Sequence, residues 1–93
     1  MRTIDGFRLR KLGNEYILVG VSMALINFNK MITLNETAAF LWKEAERLTI
    51  EHSVFSSDEL CKALCEEYDV LPGQAMTDIE NTLSAWQEAG VIE

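Results

Sequence analysis

Reactive and metal-binding side chains are scarce in this sequence. It has one histidine, His52, and two cysteines, Cys61 and Cys65. A zinc site would need further ligands, and there is no second cysteine pair to supply them, so no metal is expected. The two cysteines lie four apart on what reads as one helix and share a face. A regular i,i+4 pair holds its Cα atoms about 6 Å apart with nearly parallel Cβ directions, which suits a disulfide poorly. Both are therefore expected as reduced thiols. The phosphate-cradling glycine patterns, HExxH and the calcium-loop pattern are all missing. With His52 in a polar stretch and no group placed beside it, nothing points to catalysis, and no cofactor is implied. No apolar run reaches the roughly 18 residues of a membrane span. The start, MRTIDGFRLRK, lacks the compact apolar stretch and cleavage site of a secretory signal, so a cytoplasmic location is expected.

Positive charge is also in short supply, and its placement is uneven. The 93 residues hold eight basic and fifteen acidic side chains, a formal charge of −7. Residues 1–30 carry Arg2, Arg8, Arg10, Lys11 and Lys30 against Asp5 and Glu15. The rest carries three basic against thirteen acidic residues. Such a field repels a phosphate backbone and favours basic or neutral contacts. The last predicted helix offers Gln74, Asn81 and Gln87 but no lysine or arginine, so nucleic-acid binding is not expected. The basic residues Arg8, Arg10 and Lys11 read as a charged strand face or a contact for an acidic peptide.

What is present is periodic apolar material, 48% of the chain, enough for a core in one domain spanning residues 1–93. GFRLRKL alternates, with Phe7, Leu9 and Lys11 on one side and Arg8, Arg10 and Leu12 on the other, as in a half-buried strand. Gly13-Asn14 supplies a turn and YILVGV resumes extended structure, giving a hairpin over residues 7–21. A third strand is expected to end near Thr33. Its start is open: Asn27 to Lys30 can turn and leave residues 31–34 extended, or residues 24–33 can hold two short strands.

Three helices follow. Thr33 and Glu36 have capping-box spacing, with Asn35 as the alternative cap. Leu34, Ala38, Leu41, Trp42, Ala45 and Leu48 then form one apolar stripe with Phe40 to its side, and residues 49–55 read as a connection. Ser56 and Glu59 form a second capping box for a helix over Ser57–Glu67. Pro72 suits the first turn of a third helix that runs to Ala89 and ends at Gly90. Val91 and Ile92 can fold back onto the core. On this third helix Met76, Ile79, Leu83 and Trp86 form the core stripe. A flank of nearly all small residues, Ala75, Asp78, Thr82, Ala85 and Ala89, either packs on the sheet or walls a shallow groove. The fold class is thus α+β, a short three-stranded antiparallel β-element followed by a three-helix bundle.

The segments ITLNETAAFLW, EEYDV and DIENTLSAWQEAGVIE together resemble the PqqD family, small proteins associated with pyrroloquinoline quinone biosynthesis and other peptide-modification pathways. The matching positions are Leu34, Asn35, Ala38, Ala39, Leu41 and Trp42, then Tyr68, Val70, Asp78, Ile79, Leu83, Gly90, Val91 and Ile92, covering about residues 7–93. The resemblance implies a winged-helix-like recognition domain for the leader of a ribosomally made precursor peptide. In that family the leader adds a strand in a cleft between the third strand and the third helix. Carried onto this chain, Met31, Ile32 and Thr33 become edge candidates and Ala75, Asp78, Thr82 and Ala85 helix-side candidates.

The expected function is non-catalytic: binding a precursor leader peptide and presenting the core peptide to a separate modifying enzyme, in some pathways a radical S-adenosylmethionine enzyme. That enzyme would own any iron–sulfur chemistry. The competing reading is a small regulator that binds a folded protein and adds no strand at residues 31–33. An exposed third edge also offers itself to a second copy, as a homodimer.

Overall fold

In the computed structural model, which describes residues 1–20 and 31–93, the alternating segment forms β1 (Phe7–Leu12) and the next β2 (Glu15–Gly20), paired antiparallel from Phe7 opposite Gly20 to Leu12 opposite Glu15. Gly13 turns the hairpin at φ +63°, with Asn14 at negative φ, the sign pattern that places glycine first in a two-residue turn. Strand β3 (Met31–Leu34) pairs antiparallel with β2, Val19 opposite Met31 and Tyr16 opposite Leu34. The sheet order is β1-β2-β3. The third strand ends at Leu34, beside the expected Thr33. The suggested turn at Asn27 to Lys30, and any start before residue 31, lie outside the described residues.

Helix α1 (Glu36–His52) begins directly after the sheet. Its cap is Asn35, whose Oδ1 accepts the Ala38 N–H at 2.8 Å, so the alternative cap holds and the Thr33 capping box does not form. The helix also runs one turn past its expected end. No glycine or proline stops it at Thr49; the Thr49 hydroxyl donates to the Ala45 carbonyl, and Arg47 pairs with Glu44 and Glu51. It closes at Ser53, at φ 73°.

Helix α2 (Ser57–Glu67) carries the reciprocal capping box of Ser56 and Glu59 as read from sequence. Helix α3 (Pro72–Ala89) has proline in its first turn and Gly90 at φ 79° after its last. Gly90 N–H donates to the Gln87 carbonyl and Val91 N–H to that of Trp86, a Schellman closure.

That closure turns Val91 and Ile92 into the core, where they are 0% and 3% exposed. One apolar cluster joins Phe7 and Leu18 of the sheet, Trp42 and Leu48 of α1, Leu60 and Leu64 of α2 and Ile79 and Trp86 of α3. Trp42 and Trp86 meet edge to face, centroids 5.4 Å apart. The N-terminal segment is held by backbone pairing with the C-terminal one: Thr3 bridges Ile92, Arg2 and Glu93 exchange two N–H···O bonds, and Ile4 N–H donates to Val91. The architecture is a three-stranded antiparallel sheet laid on a three-helix bundle.

Candidate functional site

A strand can be added to a sheet only where an edge is open. Both outer strands here have a side that no described strand pairs with. They differ in how that side is defended. The six residues of β1 include Arg8, Arg10 and Lys11, and charge on an edge discourages a further strand. The four residues of β3, MITL, carry no charge. Alternate residues of a strand send their N–H and C=O groups to opposite edges, so β3 offers backbone donors and acceptors in an uncharged setting. Its side chains alternate as well. Met31 (63% exposed) and Thr33 face outward, while half-buried Ile32 and buried Leu34 face the helices.

The helix-side candidates divide. Asp78 and Ala85 are exposed and Thr82 is half-buried. Ala75, at 1% exposure, belongs to the core cluster and is withdrawn from the surface. Asp78 accepts from the Gln74 side-chain amide at 3.0 Å, and the Thr82 hydroxyl donates back to the Asp78 carbonyl at 2.8 Å. The structure therefore groups Met31, Ile32 and Thr33 on one strand and Asp78, Thr82 and Ala85 on one helix flank. Among the described residues no hydrogen bond or ion pair joins the two groups. Helix α1 is the main helical neighbour of β3, whereas α3 lies chiefly along α2.

Beside the end of β3 stands an aromatic group that sequence reasoning did not assemble. Tyr16, opposite Leu34, lies beneath two ammonium groups, Lys11 Nζ at 5.8 Å and Lys43 Nζ at 5.7 Å from its ring centroid. Phe40 meets Tyr68 edge to face with centroids 5.6 Å apart. Burial, then the Glu36 and Glu67 carboxylates, push the Tyr68 hydroxyl above its ordinary pKa. The one signal in the sequence was Phe40, which falls beside the α1 stripe and so needed a partner of its own.

Other features lie apart from the edge. A groove between the N-terminal segment and α1 is lined by Arg2, Asp5, Arg8, Glu46, Ile50 and Glu93 among others, with no residue of β3 or α3. Cys61 is buried and its thiol approaches the Pro72 carbonyl at 3.7 Å; burial, then Cys65, push its pKa up. Both cysteines are free thiols. His52 is exposed at the end of α1. Among the described residues no group of three or more His, Cys, Asp or Glu is placed to hold a metal, and no helix is long and apolar enough to cross a membrane.

Residues 15–92 match the family model described as coenzyme PQQ synthesis protein D (PqqD). The solved structure of TbiB1 in complex with the TbiA(beta) leader peptide superimposes with a TM-score of 0.72 at 18% identity, over 100% of this chain and 95% of that one. At that identity the likeness is one of fold. No curated protein matches the chain.

Proposed function

This chain belongs to the PqqD family, and from that premise we propose that it binds the leader region of a ribosomally made precursor peptide and presents the core peptide to a separate modifying enzyme. The observation that carries the reading is the uncharged edge of β3, with which no described strand pairs, in a fold shared with a protein solved in complex with a leader peptide. The leader would pair with Met31, Ile32 and Thr33 as a fourth strand, its backbone supplying affinity and its alternate side chains the register. Those on the Ile32 side would turn toward the helices, with Asp78, Thr82 and Ala85 proposed to line the helix side of the leader, while Ala75 belongs to the core.

No step of bond making belongs to the chain in this reading. Holding the leader raises the local concentration of the core peptide at the enzyme and orients it. The reading extends to a single domain over residues 1–93, a cytoplasmic setting and a radical S-adenosylmethionine enzyme as the catalyst, with pyrroloquinoline quinone as one product class. A second copy could occupy the β3 edge when no leader is present, and leader binding would then compete with dimerisation.

The test is backbone NMR titration of labelled protein with synthetic leader segments from precursor peptides encoded beside its gene. Saturable shifts at residues 31–33 and around Asp78, Thr82 and Ala85 are expected. Folded protein that responds to none of these leaders would defeat the reading in favour of a folded protein partner.

A further inference from the structure

The sheet has a second surface that its own helices do not use. Across the three strands two rows of side chains point away from the core: Arg8, Val19 and Met31 in one, Arg10, Ile17 and Thr33 in the other. Ile17 and Val19 are absent from the apolar cluster that takes up Tyr16 and Leu18 beside them. Neither Arg8 nor Arg10 has an ion-pair partner among the described residues, although the chain carries fifteen acidic side chains; Arg2 and Arg47 are both paired. The face thus joins two guanidinium groups that have no ion-pair partner among the described residues to Met31 and the half-buried, β-branched Ile17 and Val19, with Arg8 also bordering the groove that Asp5, Glu46 and Glu93 line. Guanidinium groups beside apolar and aromatic area are the composition of energetic centres in protein interfaces.

We propose that this outer face is the docking surface for the modifying enzyme, and that the enzyme meets it with an acidic surface carrying an apolar centre. The choice of occupant follows from charge. The helical part, with thirteen acidic against three basic residues, repels an acidic partner, whereas the two arginines attract one. A docking acidic surface is therefore steered to the sheet and away from the bundle. The proposal rests on the leader reading in one further respect. A strand added beside β3 lies about 4.8 Å from it and continues both rows. The outer surface would then span four strands, about 14 Å, with leader side chains next to Met31 and Thr33. The enzyme would read adaptor and leader as one surface and bind the loaded chain more tightly than the free one. By linkage, the leader would tighten by the same factor on the enzyme-bound chain.

The experiment uses the full chain, a fluorescent leader and the modifying enzyme encoded beside its gene, with separate titrations for leader and enzyme. The double variant Arg8→Glu, Arg10→Glu is compared with Lys11→Glu, which makes the same kind of charge reversal on the opposite face of β1. All three substituted positions are exposed, and circular dichroism checks that each variant folds. The double variant is expected to weaken enzyme binding about tenfold or more and leave leader affinity within about twofold, while Lys11→Glu leaves both near wild type. Leader saturation should tighten enzyme binding to the wild type about fivefold or more. Enzyme binding that ignores the double variant, or falls as far with Lys11→Glu, would overturn the proposal. So would a salt-sensitive dimer of the wild type that the double variant abolishes, since the face would then belong to a second copy. A wild type that binds no leader fails the preceding reading in its own titration, distinct from the arginine dependence of enzyme binding.

Discussion

Replacing Asn35 by alanine tests how β3 is joined to the helices, because no residue separates the strand from the cap or the cap from α1. The substitution removes the acceptor that holds Ala38 N–H at 2.8 Å. It leaves the Asn35 carbonyl bond from Ala39 N–H in place. Asn35 is exposed, so the freed N–H is hydrated rather than stranded, and the loss is that of a cap alone, about 1 kcal/mol. In a domain of this length about 1 kcal/mol lowers Tm by about 4–8 °C. Glycine, which costs only a few tenths of a kcal/mol at this position, should lose about 1–3 °C. Asn35→Asp keeps an acceptor at the positive end of the helix and should melt close to the wild type, the neighbouring Glu36 offsetting part of any gain. Thermal melts followed by far-UV circular dichroism give the order directly. An alanine variant that melts with the wild type, or above the glycine variant, would refute the assignment of Asn35 as the working cap.

Four further outcomes are expected. Ser56→Ala removes the acceptor of Glu59 N–H and should cost about 1 kcal/mol in urea unfolding, with an unchanged denaturant slope. Leu18→Ala, at a position with no exposed surface, should cost about 2–5 kcal/mol, a large share of the stability of a small domain. Tyr68 has a folded-state pKa raised above the ordinary value of 10.0, so the stability it contributes is fully present below about pH 10 and declines as pH rises through the folded value; an alkaline stability profile should lose that component in Tyr68→Phe. Ala85→Trp, at an exposed site, should leave the melt unchanged and weaken leader binding about tenfold or more by filling the α3 flank, as read by leader anisotropy.

Elements written by local chemistry were legible in the sequence. The two faces of β1 follow from strict alternation, the Ser56/Glu59 box sets the start of α2, and Pro72 and Gly90 each mark one end of α3 by their own backbone preference. The candidate site, an edge at Met31 to Thr33 and a small-residue flank on the third helix, came through the family pattern more than through any single residue. What escaped depends on contacts distant in sequence. Ala75 looks like a groove residue because it is small and sits at the right spacing, yet it is buried within the core cluster. The extra turn of α1 depends partly on Thr49, whose hydroxyl also accepts a hydrogen bond from Thr3 N–H. The Tyr16, Phe40 and Tyr68 group draws on β2, α1 and the residue that closes α2 at once. No periodicity within one segment reports such a meeting.

The ladder between the N- and C-terminal segments has a kinetic consequence. Arg2 and Glu93 are 91 positions apart, and their pairing, with the bridge of Thr3 to Ile92, is the longest-range ordering in the molecule. Contacts of such separation bear the largest closure entropy and form after local helices and the hairpin. The hairpin can form before the partner of Thr3 is available, whereas α3, which ends three residues before Ile92, leaves the ribosome together with it. Arg2 and Ile4 can take their native hydrogen bonds only once Val91 and Glu93 are in place. Amide exchange at Arg2, Ile4 and Glu93 would then time completion of the whole fold rather than fraying of its ends.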